Sequence, residues 1–323
     1  MGEFEFIAEL LADLAGPEGL NLRDDAAIWT PPRGYDAVIT TDTIVEGVHF
    51  PKGKFDAQTA QKLLRVSVSD LTAKGADPLG YFLSLSLPSW VKPFDLENFS
   101  DGLGNDQAWY GMSLWGGDTV QTGDICVLSA TMMGSVRSGR AVLRSGAKPG
   151  ELLCVSGTIG DAYLGLQSVL NEPGFAGGDN TAWEKAYHIP NPPFMGRDAV
   201  LKHASASLDI SDGLLADAAH MAKASSVGID IFLNSVPVSP QTRVWLLAQK
   251  DIQAARLKLA AGGDDYQALM SVPQHLLIKF QKAFKAENLE LTVIGKITDG
   301  GALRCLDDQG REIPINGTGY QHF

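Results

Sequence analysis

The chain has 323 residues, more than one core usually fills, and 45% of them are hydrophobic, so two packed domains are expected and wholesale disorder is excluded. Its 26 basic and 38 acidic residues give a net charge of −12, which argues against a nonspecific nucleic-acid binder but suits a phosphate ligand held through divalent metal. Cys126, Cys154 and Cys305 form no CxxC pair, GEFEFIAELLADL is acidic rather than signal-like, and no stretch approaches the about 20 apolar residues of a membrane span, so a cytoplasmic protein is expected.

Residues 3–14 place Phe6, Ile7, Leu10, Leu11 and Leu14 at helical spacing. LRDDAAIWT and YDAVITTDT read as strands around the turn at Pro31 and Pro32. A helix is expected over Ala57–Lys74, ended by Gly75, followed by the strand LGYFLSLSLP and a helix over 95–112. MSLWGGDTV and CVLSATMMGSV are further strands. The basic, Gly-rich RSGAKPG introduces a new strand, ELLCVSG, and marks a change of domain. GTIGDAYLGLQSVL starts a helix, ASLDISDGLLADAAHMAKAS reads strand, turn, helix, and LKLAAGGDDYQALMSV reads turn then strand. LTVIGKI and GALRCLD supply the last strands. The mixture of elements indicates an α+β protein.

Five places set Asp at a strand end or helix edge: Asp24–Asp25, Asp42, Asp70, Asp118 and Asp209–Asp212. Taken singly, Asp beside Gly is a turn former. Asp70 resists that reading, because it continues the row of Leu63 and Val66 on one helix face, where a carboxylate needs a partner or a metal. Lys62 and Arg65 lie elsewhere on the helix. Gly116-Gly117-Asp118-Thr119 lets a ligand approach the backbone beside an acid. Asp209-Ile210-Ser211-Asp212 precedes a helix, with Ser211 or Asp212 as its cap and the helix amides as a phosphate cradle. GxxxxGK[ST], a GxGxxG after a strand, HRD, DFG, HExxH and GxSxG are all absent, so a phosphate enzyme here must rely on metals spread over several Asp turns.

RDDAA, TTDTIVEGVHF, SDLTAKGADP, GGDT, GRAVLRSGAKPG, DISDGL, GGDDY and GYQHF, in this order over the whole chain, resemble the thiamine-monophosphate kinases. The resemblance implies two α/β-sandwich-like domains of the aminoimidazole ribonucleotide synthetase type, shared with selenophosphate synthetase and a hydrogenase maturation factor. They would cover 1–138, for ATP, metal and dimerisation, and 139–323, completing the substrate site, with the N-terminal sheets pairing in a homodimer. It implies several Mg²⁺ ions on Asp25, Asp42, Asp70, Asp118, Asp209 and Asp212, with Thr40 and Thr41 assisting. Asp42, Asp70, Asp118 and Asp212 would be catalytic through those ions. Gly117, Asp118, Arg144 and Ser211 would meet ATP, and His49, Asp264 and Tyr320 the thiamine phosphate. The implied reaction is ATP plus thiamine monophosphate giving ADP plus thiamine diphosphate, by direct in-line transfer.

Three positions depart from that pattern. Arg23 stands where the pattern has Gly, and either strains the turn, if that position is left-handed, or reaches a phosphate; Asp264 stands for Glu, one methylene shorter; Pro193 stands for Arg, with Arg197 nearby. Glu46 is read as structural, and Trp29, Trp90 and Trp115 as packing residues. The alternatives are another ATP-using relative of the same fold, or a nucleotide-binding protein without turnover. The absence of a Cys at the C-terminal end, and of any before Cys126, speaks against two of those relatives.

Overall fold

The structure, a computed structural model, describes residues 3–175 and 178–315. Contacts divide the chain after Arg140, with residues 72–75 belonging to the second unit.

The first unit is built on four strands, β1 (Tyr35–Val45), β2 (Asp77–Leu87), β3 (Ser113–Gln121) and β4 (Val127–Arg137), in the order β1-β4-β2-β3. Only β2 and β3 run parallel, joined through α3 (Pro93–Tyr110). The side chains of β1 alternate, with Ile44 buried and Val38, Thr40 and Asp42 half-buried on one face, while Ala37, Ile39, Thr41 and Thr43 are exposed on the other. Helix α2 (Ala57–Lys74) packs on the first face: Leu63, Leu64 and Leu71 are buried, as are Leu83 and Leu85 of β2 and Ala130 of β4. The other face is open. Gly102 lets α3 approach α2, since a Cβ there would lie 2.4 Å from the Ala57 carbonyl oxygen. Between these helices the Arg65 guanidinium donates to both Asp106 oxygens, at 2.7 and 2.9 Å, and Gln61 adds a third bond.

Two expectations change in this unit. Residues 3–14 do not form one regular helix, because the pitch shifts from α1 (Glu3–Phe6) to a π-turn at Ile7–Leu11 and a 3₁₀ turn at Ala12–Leu14. The Ser100 hydroxyl and the Gln107 side-chain amide of α3 donate to the carbonyls of Leu10 and Leu14, which helps fix this irregular path. LRDDAAIWT is not a strand; the Asp24 carboxylate takes the Asp25 amide locally, a bond that competes with ladder pairing.

The second unit holds seven strands, β5 (Leu152–Ser156), β6 (Ala206–Asp209), β7 (Gly228–Phe232), β8 (Ala268–Val272), β9 (Leu291–Thr298), β10 (Leu303–Leu306) and β11 (Glu312–Ile313). Their order is β11-β10-β7-β9-β5-β8-β6, antiparallel except for β10 with β7. Leu153, Val155 and Leu269 enter a core shared with α7 (Leu214–Ser225), whereas Cys154, Ala268 and Met270 enter a second core with Phe280 and Phe284 of α10 (Leu277–Ala286). Leu152–Val155 of β5 and Ala268–Met270 of β8 are therefore apolar at successive positions rather than alternating, as strands covered on both faces require. LKLAA, read as a turn, is the end of helix α9 (Ile252–Ala261). Both units are mixed α and β, as expected.

Arg65 is 15% exposed and keeps its charge when Asp106 is removed, so that change strands a largely buried cation. Asp106→Ala is expected to lower the unfolding free energy by about 3–5 kcal/mol in urea titration, and the double change Arg65→Met with Asp106→Leu by much less.

Candidate active site

Strand β1 and helix α2 make the first cluster. Asp42 and Thr40, two residues apart, share the helix-facing side of β1. The Thr40 hydroxyl donates to Asp70, and the Ser67 hydroxyl donates to Asp42 Oδ2 at 2.7 Å. Burial first, then the neighbouring Asp70 charge, pushes the Asp42 carboxyl up to about 6, against the pull of Ser67. The groups acting on Asp42 among the described residues are the Asp70 carboxylate and the Ser67 hydroxyl.

Thr41 and Asp118 face the other way. The Thr41 hydroxyl meets Thr131 at 3.0 Å on the open face, so its side chain does not join Thr40 and Asp42. Register carries Thr43, Ser129, Ser84 and Asp118 in a row across that same face, while the Asp42 row ends on Gly117. Asp118 instead lines a pocket of about 360 Å³ with Asp24, Asp25, Gly116, Gly117 and Phe82. At Gly117 a Cβ would lie 2.1 Å from the Leu83 carbonyl oxygen, so only glycine fits there. Arg23 has φ −113 and is not strained; the left-handed backbone lies upstream, at Leu20, Asn21 and Leu22.

Glu46 and His49 close the β1 end. Glu46 accepts the amides of Gly53 and Cys126 at 2.7 and 2.8 Å, one on each oxygen, which is a structural role. His49 Nδ1 accepts the Val45 amide at 3.1 Å, so the neutral ring carries its proton on Nε2.

In the second unit, Asp209 ends β6 and is buried, while Ser211 and Asp212 follow half-buried. The cap expected from Ser211 or Asp212 is reversed. Gly213 is the residue before α7, and Asp217, inside the helix, takes the amides of both Ser211 and Asp212 on one oxygen at 3.1 Å each. Those two amides are thus committed to Asp217 rather than offered to a phosphate. Oxygens of Asp212 and Asp217 and a nitrogen of His220 come within 4.8 Å of one another. Burial, then Asp212, pushes the Asp217 carboxyl up to about 7, while the two amides and the Arg144 charge pull it down. Arg144 is exposed.

The GGDDY turn packs against this loop. Asp264 donates its amide to Ser211 O at 2.9 Å, and Tyr266 donates its amide to Ile210 O at 2.7 Å. Asp264 and Tyr266 have φ 71 and 49, left-handed values that cost a non-glycine residue about 1 kcal/mol or more each. Between them Asp265 is buried, accepting the Gly160 amide at 3.0 and 2.9 Å on its two oxygens. Burial holds the Asp265 carboxyl well above the usual range against that amide's pull. Arg197, the neighbour of Pro193, lies 4.3 Å over the Phe194 ring. Tyr320 lies outside the described residues. Asp217, His220 and Asp265 escaped the sequence reading. Asp217 gave the same signal as Asp70, an acid continuing the apolar row Leu214, Ala218, Met221 of a helix.

The donors at these places are carboxylate and hydroxyl oxygens, joined at one of them by the His220 imidazole and, among the described residues, by no thiolate; the oxygen donors fit a hard divalent cation such as Mg²⁺. Asp42 is the sharpest test of that fit. Its carboxyl is raised, so its folded-state stability contribution is present below about pH 4 and is lost as pH rises through about 6. Asp42→Asn is therefore expected to stabilise the metal-free protein by about 1–2 kcal/mol at pH 7.5 and hardly at pH 4, read from urea titrations at both pH values.

Comparison with known proteins gives a consistent picture. The AIR synthase related protein models match here, the N-terminal domain over residues 23–136 and the C-terminal domain over 148–308. The thiamine-monophosphate kinase of Caulobacter vibrioides is 42% identical over 322 residues, 99% of this chain and 90% of that protein. That of Escherichia coli K12 is 35% identical over 328 residues, 100% and 98% of the two chains. The crystal structure of thiamine-monophosphate kinase from Stenotrophomonas maltophilia K279a superposes with a TM-score of 0.81 at 32% identity, over 90% of this chain and 91% of that one. AaThiL complexed with AMPPCP and TMP superposes with a TM-score of 0.79 at 29% identity, over 100% and 97%. Hydrogenase maturation protein HypE of E. coli shares the fold, with a TM-score of 0.78 at 17% identity over 99% of each chain. With identity of this order sustained over the full length, the chain belongs to the thiamine-monophosphate kinase family.

Proposed function

We propose that this chain transfers the terminal phosphoryl group of ATP to thiamine monophosphate, releasing ADP and thiamine diphosphate. The observation that carries the reading is the full-length relationship to thiamine-monophosphate kinases, among them a relative that binds AMPPCP and TMP together. The site chemistry supports it. An acceptor phosphate oxygen is already anionic near neutral pH, so no strong general base is needed. A bond forms from that oxygen to the terminal phosphorus of ATP as the bond to the bridging oxygen breaks, and ADP leaves with the electron pair. No phosphoenzyme intervenes.

The chief obstacle is repulsion between two anionic phosphates. Asp42, Asp70, Thr40, Asp25 and Asp118 in the first unit, and Asp209 and Asp212 in the second, are the residues that would hold Mg²⁺. Bound there, the ions would neutralise the phosphates and help align them. Thr41 is retained as an assisting residue only through its backbone, because its hydroxyl faces Thr131. Gly117 admits ATP close to the chain beside Asp118; in the second unit Ser211 is the proposed ATP contact, and Arg144 would supply a bidentate guanidinium to phosphate. His49 donates Nε2–H to the acceptor phosphate, and Asp264 and Tyr320 complete the acceptor side.

We further propose that the protein is a cytoplasmic homodimer joined through the open face of the first sheet, with no nucleic-acid or membrane partner. Ile39 and Val120, 63% and 46% exposed on this face, support the pairing. The net charge of −12 argues against nucleic acid, and among the described residues no helix is long and apolar enough to cross a membrane.

The test mixes purified protein, ATP, Mg²⁺ and thiamine monophosphate and follows thiamine diphosphate by fluorescence after oxidation. Product is expected, lost with EDTA and restored by excess Mg²⁺; no product at any Mg²⁺ concentration would remove the assignment. Asp42→Asn is expected to lower kcat by about 100-fold or more without losing the fold. Sedimentation should report a two-chain species for the wild type and a single chain for Ile39→Lys.

A further inference from the structure

We propose that Asp217 and Asp265 are positioning residues: Asp217 sets the Ser211–Asp212 turn that meets ATP, and Asp265 sets Asp264 against the thiamine-phosphate acceptor. The inference rests on the reading in the preceding subsection.

Both side chains lie beneath the functional loops, with exposures of 3% and 7%. Each binds backbone amides rather than a cation. Asp217 gathers two successive amides on a single oxygen, which fixes the backbone of Ser211 and Asp212, whose side chains are half-buried. The turn has little room to relax. Gly213 has φ 119, and a Cβ there would lie 2.6 Å from the Ala261 carbonyl oxygen.

Asp265 works on the other loop. Its two neighbours both hold left-handed backbone, a conformation that persists only where surrounding bonds over-determine it. Asp265 supplies such bonds through Gly160 and, at 3.5 Å, Ala162, at the start of helix α4 (Asp161–Val169). With the middle side chain pinned, Asp264 is held in place, and Tyr266 Oη donates to its Oδ1 at 3.2 Å. The two loops share backbone hydrogen bonds but have separate anchors, one within α7 and one on α4. Loosening one anchor should therefore disturb one substrate more than the other. A shift of about 1 Å at a reacting group is enough to change rate strongly.

Asp217→Asn and Asp265→Asn keep shape and remove a charge-assisted acceptor. Steady-state kinetics should show Asp217→Asn raising KM for ATP about tenfold with KM for thiamine monophosphate within about twofold, and Asp265→Asn doing the reverse. KM for ATP is measured at saturating Mg²⁺, so that a raised KM reports position rather than weaker hold on a metal near Asp212. Equal changes for both substrates, or a lowered Tm with unchanged kinetics, would mean a merely structural role and overturn the proposal. If either Asn variant fails to fold, the Glu variant is read by the same criteria. If the wild type makes no thiamine diphosphate, the kinase reading fails. Calorimetry with AMPPCP and Mg²⁺ then decides: weaker binding in Asp217→Asn but not in Asp265→Asn supports the proposal, and every other pattern, absence of binding included, overturns it.

Discussion

Repulsion between carboxylates held close together in partly dehydrated surroundings is the constraint on which the rest depends. The chain answers it in two ways. Some acids that only hold helices or strands together receive an arginine, as Asp106 takes Arg65 and Asp230 takes Arg304, although Glu46 is held by two amides instead. Where an acid belongs to the proposed site, the donors observed on it are uncharged. Asp42 has Ser67, Asp70 has Thr40, Asp217 has two amides, and Asp265 has the amides of α4. A hydroxyl or amide fixes a carboxylate's direction but leaves its charge uncancelled. The remaining field is available to a cation from solution, and the raised carboxyls of Asp42 and Asp217 are the cost of keeping it.

Much of this was legible in the sequence, and the limits are physical. Helix α2 was readable to its ends because apolar spacing, Gly75 and length agreed. Asp70 stood out for the same reason, as an acid on an apolar row. The face each residue of TTDTIV takes was harder. A strand alternates strictly, so Thr40 and Thr41 cannot both look toward Asp70, yet a motif read as a string treats them as equivalent. Asp217 was missed although it met the Asp70 criterion, because DISD drew the reading to the turn and away from the helix that supports it. Caps are also hard to assign from one sequence. A Ser-Asp pair before a helix reads as the cap, but here the helix returns its own carboxylate to that pair.

Strain follows the same division. Leu20, Asn21 and Leu22 are left-handed beside the acid-lined pocket, and Asp264 and Tyr266 are left-handed beside Ser211. Arg23, the residue whose identity seemed to threaten strain, sits in ordinary backbone. In the second unit the strained turn is tied by backbone bonds to the segment after β6, and β6 is buried along its whole length. A fully covered sheet is what allows a few unfavourable torsions to persist at its edge.

The open face of the first sheet carries hydroxyls paired across strands. Thr41 with Thr131, and Thr43 with Ser129, bond to each other across neighbouring strands. Hydroxyls satisfied in this way ask little of water and lose little when water leaves. Such a surface is close to indifferent between wet and dry. A newly made chain can expose it without a large greasy patch, and a second surface can cover it without stranding polar groups. The strength of any association there is then left to a few apolar side chains such as Ile39 and Val120, so it can be tuned by single substitutions without disturbing the strands beneath.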